Sequence, residues 1–305
     1  MHVAITGASG LIGRRLVETL LAHGHSVNLL SRKGSLERAG AQSSIWNPED
    51  GPPSAGKLSG ADAVIHLAGE PVAQRWTATA KRRIHDSRIV GTRRLVEGLA
   101  GLERRPAILI AASAIGYYGS RGDEILDESA RPGGGYLAEL CVEWEREAAA
   151  AEKLGIRVAR IRIGVVLDAG GGALGRMLPA FRWGVGGRLG DGKQWLSWIH
   201  IADLAELFRH VLENSLGGAW NGVAPNPVTN AEFTRVLGRA LRRPAMLPVP
   251  AVVLRLLFGE MSEMLMAGQR VVPGAAEAAG FRFLYPELAP ALSDLLDRGA
   301  GCPAS

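Results

Sequence analysis

Residues 6–13 read TGASGLIG, placed directly after the short apolar run 3–6 and at the opening of a helical pattern over 11–22. Three glycines at this spacing between a strand and a helix have separable uses. Gly7 supplies a tight turn, Gly10 lets a pyrophosphate approach the backbone, and Gly13 lets the helix pack closely on a sheet. The N-terminus of that helix also offers unpaired N–H groups to phosphate. The stretch therefore reads as a dinucleotide-binding loop formed by Gly7, Ser9, Gly10, Leu11, Ile12 and Gly13; the alternative is an ordinary structural turn.

Outward from the loop, strand-like and helix-like segments alternate. Strands are expected at 26–30, 63–67, 107–112 and 158–166, and helices at 79–98 and 136–154. The strands are nearly continuous in apolar character, which suits a parallel sheet covered on both faces and joined by right-handed crossovers. The fold class is α/β, a Rossmann-like doubly wound parallel sheet with a smaller C-terminal substrate lobe. After residue 167, Gly and Pro become frequent, with helices expected near 202–213, 230–241 and 251–257. The expected division is a binding domain at 1–167, with 198–224 returning to it, and a substrate-side lobe from 168–197 and 225–300. Residues 301–305 are expected to form a frayed tail.

The chain has 305 residues, 47% hydrophobic and 21% charged, enough for a sizeable core and roughly two domains. Its longest apolar runs, 107–112 and 249–258, fall short of the ~20 residues that a bilayer crossing needs. The first strand begins without a charged leader, so a soluble, cytoplasmic protein is expected. The net charge of +5 is scattered, with no basic stripe interleaved with aromatics, which argues against nucleic acid. Cys141 and Cys302 are neither a disulfide framework nor part of a metal-binding pattern; a small buried side chain and a tail residue are expected. The oligomeric state stays open, a homodimer included.

The second strand ends in Leu30, Ser31, Arg32 and Lys33. An NAD site places a carboxylate here for the ribose 2′-hydroxyl, whereas a 2′-phosphate calls for cations. With no carboxylate and a guanidinium at Arg32, NADP (NADPH) is the expected cofactor, read by Ser31 and Arg32. Arg32 as a solvated surface charge is the alternative.

TGASGLIG at 6–13, DAVIHLAGE at 62–70, ASAIGYYG at 112–119, IRIGVVLD at 161–168 and WIHIADLAEL at 198–207 together resemble the extended short-chain dehydrogenase/reductase superfamily, which includes the nucleotide-sugar epimerases. RWTATAKRRIHDSR, YLAELCVEWE, GDGKQWLSWIHIADL and APNPVTNAEFTRVLGRALRRP are similar to its atypical branch, the epimerase-family proteins of unknown substrate. The resemblance implies a Ser or Thr after the fifth strand and a Tyr with a Lys four residues on, the Lys lowering the phenol pKa. Here the pattern departs. Aligning on Glu145 puts Leu137 and Cys141 on the two positions, and shifting by one gives Tyr136 with Leu140.

The same mapping supplies the other candidates. Ser113 either touches substrate or nicotinamide or caps its strand. Tyr117 and Tyr118 are replacement acids or packing. Leu67, Ala68 and Gly69 would line the riboses, and Glu70 would orient a substrate hydroxyl or serve as a helix N-terminal charge. Arg88 falls where relatives carry an Asn facing the cofactor, and is the expected substitute cation. Without a Lys, a nearby phenol is expected to keep a pKa of about 10. His200 and Asp203 border the substrate cleft or serve as a satisfied imidazole and a helix N-cap. Trp183, Trp195 and Trp198 wall the pocket or pack in the core. The expected function is an NADP-binding oxidoreductase or epimerase-like protein acting on a small polar substrate; the alternative is a non-catalytic NADP(H) sensor.

Overall fold

The first strand, β1 (His2–Thr6), is buried over its last four residues, and the glycine loop carries the chain straight into α1 (Leu11–Ala22). β2 (Ser26–Ser31) follows, then β3 (Ala41–Ile45), a short α2 (Ala55–Leu58), β4 (Ala63–His66) and α3 (Ala78–Ala100). The computed structural model describes residues 1–32 and 40–300; Lys33, Cys302 and the tail 301–305 lie outside the described residues. β5 (Ile108–Ala114), β6 (Ile125–Leu126), α4 (Tyr136–Ala149), β7 (Arg157–Ile163) and β8 (Val165–Asp168) complete the first half.

Seven parallel strands form the main sheet in the order β11 (Gly218–Gly222), β7, β5, β4, β1, β2, β3. The sheet is doubly wound, with α1 on one face and α3 and α4 on the other. Leu16, Leu20, Leu207 and Phe208 are fully buried on the α1 side. Leu95 and Leu99 pack on Leu109 on the opposite side. Each such side chain contributes roughly 1.5–3 kcal/mol of burial.

Two strand expectations differ from the structure. β3 was not expected because its AQSSI is polar and only half-buried, as suits an edge strand. The expected run 158–166 divides at Gly164, where a Cβ would lie 2.5 Å from the Ser197 carbonyl oxygen. β7 stays in the main sheet, while β8 pairs with β10 (Trp198–His200).

The distal part begins with α5 (Gly172–Arg182) and β9 (Trp195–Leu196). After β10, α6 (Ile201–Glu213) packs back on α1, and its Leu204, Leu207, Phe208 and Val211 join the main core. Then come β12 (Val228–Thr229), α7 (Asn230–Ala240), α8 (Ala251–Phe258), α9 (Ser262–Met266), β13 (Arg270–Val271), α10 (Gly274–Ala278) and α11 (Leu288–Ala300). Phe233 and Leu237 of α7 pack with Leu292 and Leu295 of α11 against the fully buried Trp198.

Candidate functional site

The glycine loop forms an open cradle at the end of β1. Gly7 has φ +73°, and a Cβ there would meet the Leu67 and Ala68 backbone at 2.7 Å. At Gly13 a Cβ would lie 2.4 Å from the Gly7 carbonyl oxygen, so this glycine makes room for the turn itself rather than for the sheet expected from sequence. Gly10 is different. It caps α1 with no side chain, its φ of −73° suits any residue, and a Cβ would touch only the Gly7 oxygen, at 3.4 Å. The fold does not require a glycine there; the space a side chain would fill is the approach to the helix N-terminus, whose first turn carries no acid. That approach, together with the N–H groups at the start of α1, fits a pyrophosphate. At the end of β2, Ser31 is half-buried and Arg32 is exposed.

The β4 wall of the cradle is tied to the helices behind it. The Ala68 N–H donates to Thr6 Oγ1 at 3.3 Å, and Thr6 Oγ1 lies 2.6 Å from His66 Nδ1. His66 Nε2 is 3.1 Å from Thr92 Oγ1, which also accepts the Trp144 indole N–H at 3.0 Å. Burial, helped by the charge of Arg88, pulls the His66 pKa to about 4, so this imidazole is neutral at pH 7.

Arg88 occupies the floor. Its Nη1 donates to the Glu70 carbonyl at 2.9 Å and the Ile84 carbonyl at 3.2 Å, and its Cζ lies 5.0 Å from the centre of the Trp144 ring. A Cβ on Gly69 would sit 3.2 Å from that Cζ, so the guanidinium lies directly under the Gly69 backbone. Burial draws its pKa down, opposed by Cys141, Tyr136 and Glu70; a guanidinium remains charged regardless.

The register of α4 is set by contact. A Cβ on Gly116 would lie 3.3 Å from Leu137 Cβ and 3.9 Å from Cys141 Sγ, so Leu137 and Cys141 face the end of β5. Cys141 is buried, and burial followed by the Glu145 charge pushes its thiol up to about 11. Tyr136 turns away, packs edge-on against Trp76 and donates to the Lys81 carbonyl at 3.2 Å.

Behind Cys141 runs a buried polar network. Ser113 Oγ donates to Glu145 Oε1 at 2.7 Å, and Arg162 grips the same carboxylate through Nε and Nη2 at 2.8 and 2.9 Å. Arg162 Nη1 donates to the Tyr118 hydroxyl at 2.9 Å, which donates to Asn221 Oδ1 at 2.7 Å. Burial opposes the Arg162 charge, but Glu145 more than offsets it and raises the pKa.

This network corrects the Tyr118 expectation. Tyr118 is 0% exposed and burial drives its phenol up to about 12, so it is packing rather than an acid. Ser113 is likewise buried and committed to Glu145 rather than capping its strand. Tyr117 is half-buried, and the Arg162 Cζ lies 3.5 Å from its ring centre. The expected ordinary phenol pKa does not hold at Tyr136 either, where burial raises it against Arg88 and Lys81.

Other expectations also change. Glu70 is not a helix N-terminal charge, because α3 starts at Ala78 with Thr77 as its cap; its carboxylate meets Gln74 at 3.2 Å and Arg83 at 3.6 Å. The cap of α6 is His200, whose Nδ1 accepts the Ala202 N–H at 3.1 Å. Its Nε2 is 3.3 Å from Asp294, and its ring stacks on Tyr285. Asp203 instead accepts the backbone N–H groups of Leu284 and Tyr285 at 2.8 and 2.9 Å. Trp198 is core, Trp195 donates to Asp123 at 2.7 Å, and Trp183 is 85% exposed in neither expected setting.

Arg162 and His66 were not among the sequence candidates. The charge inside the apolar IRIGVV run was the available signal, because a buried charge demands a partner.

The model of the NAD dependent epimerase/dehydratase family matches residues 3–221, and that of a domain of unknown function, DUF1731, matches residues 249–295. The chain is 43% identical over 293 residues to epimerase family protein Mb2239 of Mycobacterium bovis, covering 95% of this chain and 96% of that protein. It is 42% identical over 307 residues to the chloroplastic epimerase family protein SDR39U1 homolog of Arabidopsis thaliana, covering 97% and 87%. The crystal structure of human epimerase family protein SDR39U1 with NADPH superposes with a TM-score of 0.86 at 35% identity, covering 97% of this chain and 99% of that one.

Proposed function

The chain belongs to the NAD dependent epimerase/dehydratase family, and from that premise we propose that it is an NADPH-dependent oxidoreductase or epimerase-like enzyme for a small polar substrate, working without a Tyr/Lys pair. The human relative's structure contains NADPH, and the open backbone at Gly10 fits the pyrophosphate of such a cofactor. The loop residues Gly7, Ser9, Gly10, Leu11, Ile12 and Gly13 would hold the phosphates, Ser31 and Arg32 the 2′-phosphate, and Leu67, Ala68 and Gly69 the riboses. Once bound, the cofactor supplies or accepts a hydride.

The observation that carries the reading is Arg88. Its hydrogen bonds among the described residues go to main-chain carbonyls, so a half-buried cation at the floor of the site keeps its charge available for a ribose hydroxyl or a carbonyl oxygen. It cannot shuttle a proton. Proton exchange falls to Tyr117, whose ring is held by Arg162, or to Glu70 or water. The sensor reading draws on a second observation: Ser113 and Tyr118 are both committed inside the buried network. A cytoplasmic location belongs to the same proposal.

The test is an NADPH binding titration with oxidation followed across a panel of carbonyl compounds and nucleotide sugars, and tritium exchange at the nicotinamide. Arg88→Ala should cost about tenfold or more in affinity or turnover, the scale of one charge-assisted hydrogen bond. Tyr136→Phe should lose little. Tight NADPH binding with no turnover or exchange anywhere establishes the sensor, and a severe loss confined to Tyr136→Phe restores the ordinary tyrosine mechanism.

A further inference from the structure

On the outer face of α7, a cavity of about 600 Å³ is lined by five arginines, Arg188, Arg235, Arg239, Arg242 and Arg243, with Thr234 among the remaining lining residues. No lining residue belongs to the glycine cradle or to the surroundings of Arg88. Among the described residues, Arg235 has a carboxylate within ion-pairing range, Glu232 at 3.6 Å. Arg235 and Arg239 also border a neighbouring groove that contains Glu232, Glu287 and Asp297. Arg188, Arg242 and Arg243 border the cavity alone.

Cations at a helix C-terminus are favoured by its dipole, and that would account for one or two of these side chains. It does not account for five exposed arginines around one concavity, whose mutual repulsion, screened by water, an anion would offset further. Two independent features point the same way. Thr234 is 3% exposed, yet its Oγ1 has no hydrogen-bond partner among the described residues. A helical Thr ordinarily returns its hydroxyl to the carbonyl one turn back, and a buried orphan donor marks a place for an absent acceptor. Arg242 has φ +52°, the left-handed position after a helix where Gly is the usual residue. A long charged side chain is held there in a backbone conformation that disfavours it.

We infer that this cavity binds a di- or triphosphate group, with Arg188, Arg242 and Arg243 as its cationic ligands and the Thr234 hydroxyl donating to a phosphate oxygen. Guanidinium forks match phosphate oxygens two at a time, and three arginines lining one concavity can serve more than one phosphate. Backbone hydrogen bonds tie residues 242, 243 and 249 to the elements around the cavity. Arg242 and Arg243 donate backbone N–H groups to Arg239 and Gly238, and the main chain beyond them pairs with the Arg188 segment, Val249 donating to the Arg188 carbonyl at 2.9 Å. The same phosphate chemistry occurs on soluble nucleotides and on phosphorylated lipid headgroups; the proposed ligand is soluble.

The full chain, saturated with NADPH so that the cradle is filled, would be titrated calorimetrically with inorganic tripolyphosphate at fixed ionic strength, with sulfate as the comparison anion. One site is expected, at least about tenfold tighter for tripolyphosphate than for sulfate, with NADPH retained. Arg242→Gly should weaken binding about tenfold, one charge-assisted contact, while raising the melting temperature because the left-handed backbone then suits its residue. Thr234→Val, which keeps the side-chain shape, should weaken binding by a few-fold. Equal affinity for sulfate, displacement of NADPH, or unchanged binding by Arg242→Gly overturns the site. So does association with phosphatidylcholine vesicles containing phosphatidylinositol bisphosphate that free tripolyphosphate does not reverse. Failure here leaves the proposed reaction untouched, since no residue is shared.

Discussion

Arg162 and Glu145 meet in the interior as a two-pronged ion pair, Nε to Oε1 at 2.8 Å and Nη2 to Oε2 at 2.9 Å, with both side chains about 95% buried. Removing one partner strands the other charge away from water. Glu145→Leu should therefore cost about 3–5 kcal/mol in urea unfolding. Adding Arg162→Met to that variant should recover more than half of the loss, because neither charge is then stranded. A double variant no better than Glu145→Leu alone would show that the pair is not the interaction at stake.

The glycines of the cradle should separate by role. Gly13→Ala forces a methyl group to within 2.4 Å of a carbonyl oxygen and should lower the melting temperature sharply, whether or not NADPH is present. Gly10→Val meets no such obstacle in the folded chain. It should leave the melting temperature of the free protein nearly unchanged while abolishing the NADPH-induced rise that binding to the native state produces. Native NADPH affinity in Gly10→Val would remove the phosphate reading of the loop.

Cofactor choice should follow Arg32. Arg32→Asp exchanges an exposed guanidinium for a carboxylate where the 2′-phosphate is expected, and should weaken NADPH relative to NADH by roughly 1.5–3 kcal/mol. Calorimetric titration of both cofactors measures the difference. An unchanged preference means that another group reads the phosphate.

Stability should fall in mild acid because of His66. Its folded pKa of about 4 lies below the unfolded value of 6.5, so the unfolded chain binds the proton first. Stability is fully present above pH 6.5 and is lost progressively between pH 6.5 and about 4, by about 3 kcal/mol in all. Urea midpoints measured from pH 7 to pH 4.5 should show this slope. His66→Gln, less stable throughout, should show a shallower one; an identical slope would assign the acid sensitivity elsewhere.

What the sequence disclosed followed the range of each interaction. The loop 6–13 and its flanking strand and helix were legible because turn, period and cap are local. β3 was not, since a polar edge strand lacks the apolar signal that reports burial. The division at Gly164 was hidden because an apolar run looks the same whether it stays in one sheet or passes to another. Asp203 read as a cap by its position at the start of α6, but its partners come from residues 284 and 285. His66 and Thr6 are 60 positions apart, and no local pattern announces such a pair. Arg88 was singled out on α3, and the structure places its guanidinium against the Gly69 backbone, whereas the hydrogen bond between Tyr118 and Asn221 spans 103 residues and has no local pattern.

Gly164 donates to the Gly222 carbonyl at 3.0 Å, its neighbour Val165 donates to Ser197 at 2.8 Å, and no side chain fits between them. The outgoing and returning passes of the chain are thus stitched at one seam. Anyone building chimeras to exchange the distal part with that of a relative would have to cut on both sides of this seam and carry residues 164 and 197 together from the same parent. A graft that mixed parents there would set a foreign backbone spacing against the end of the main sheet, and the misfit would fall beside β7, which carries Arg162.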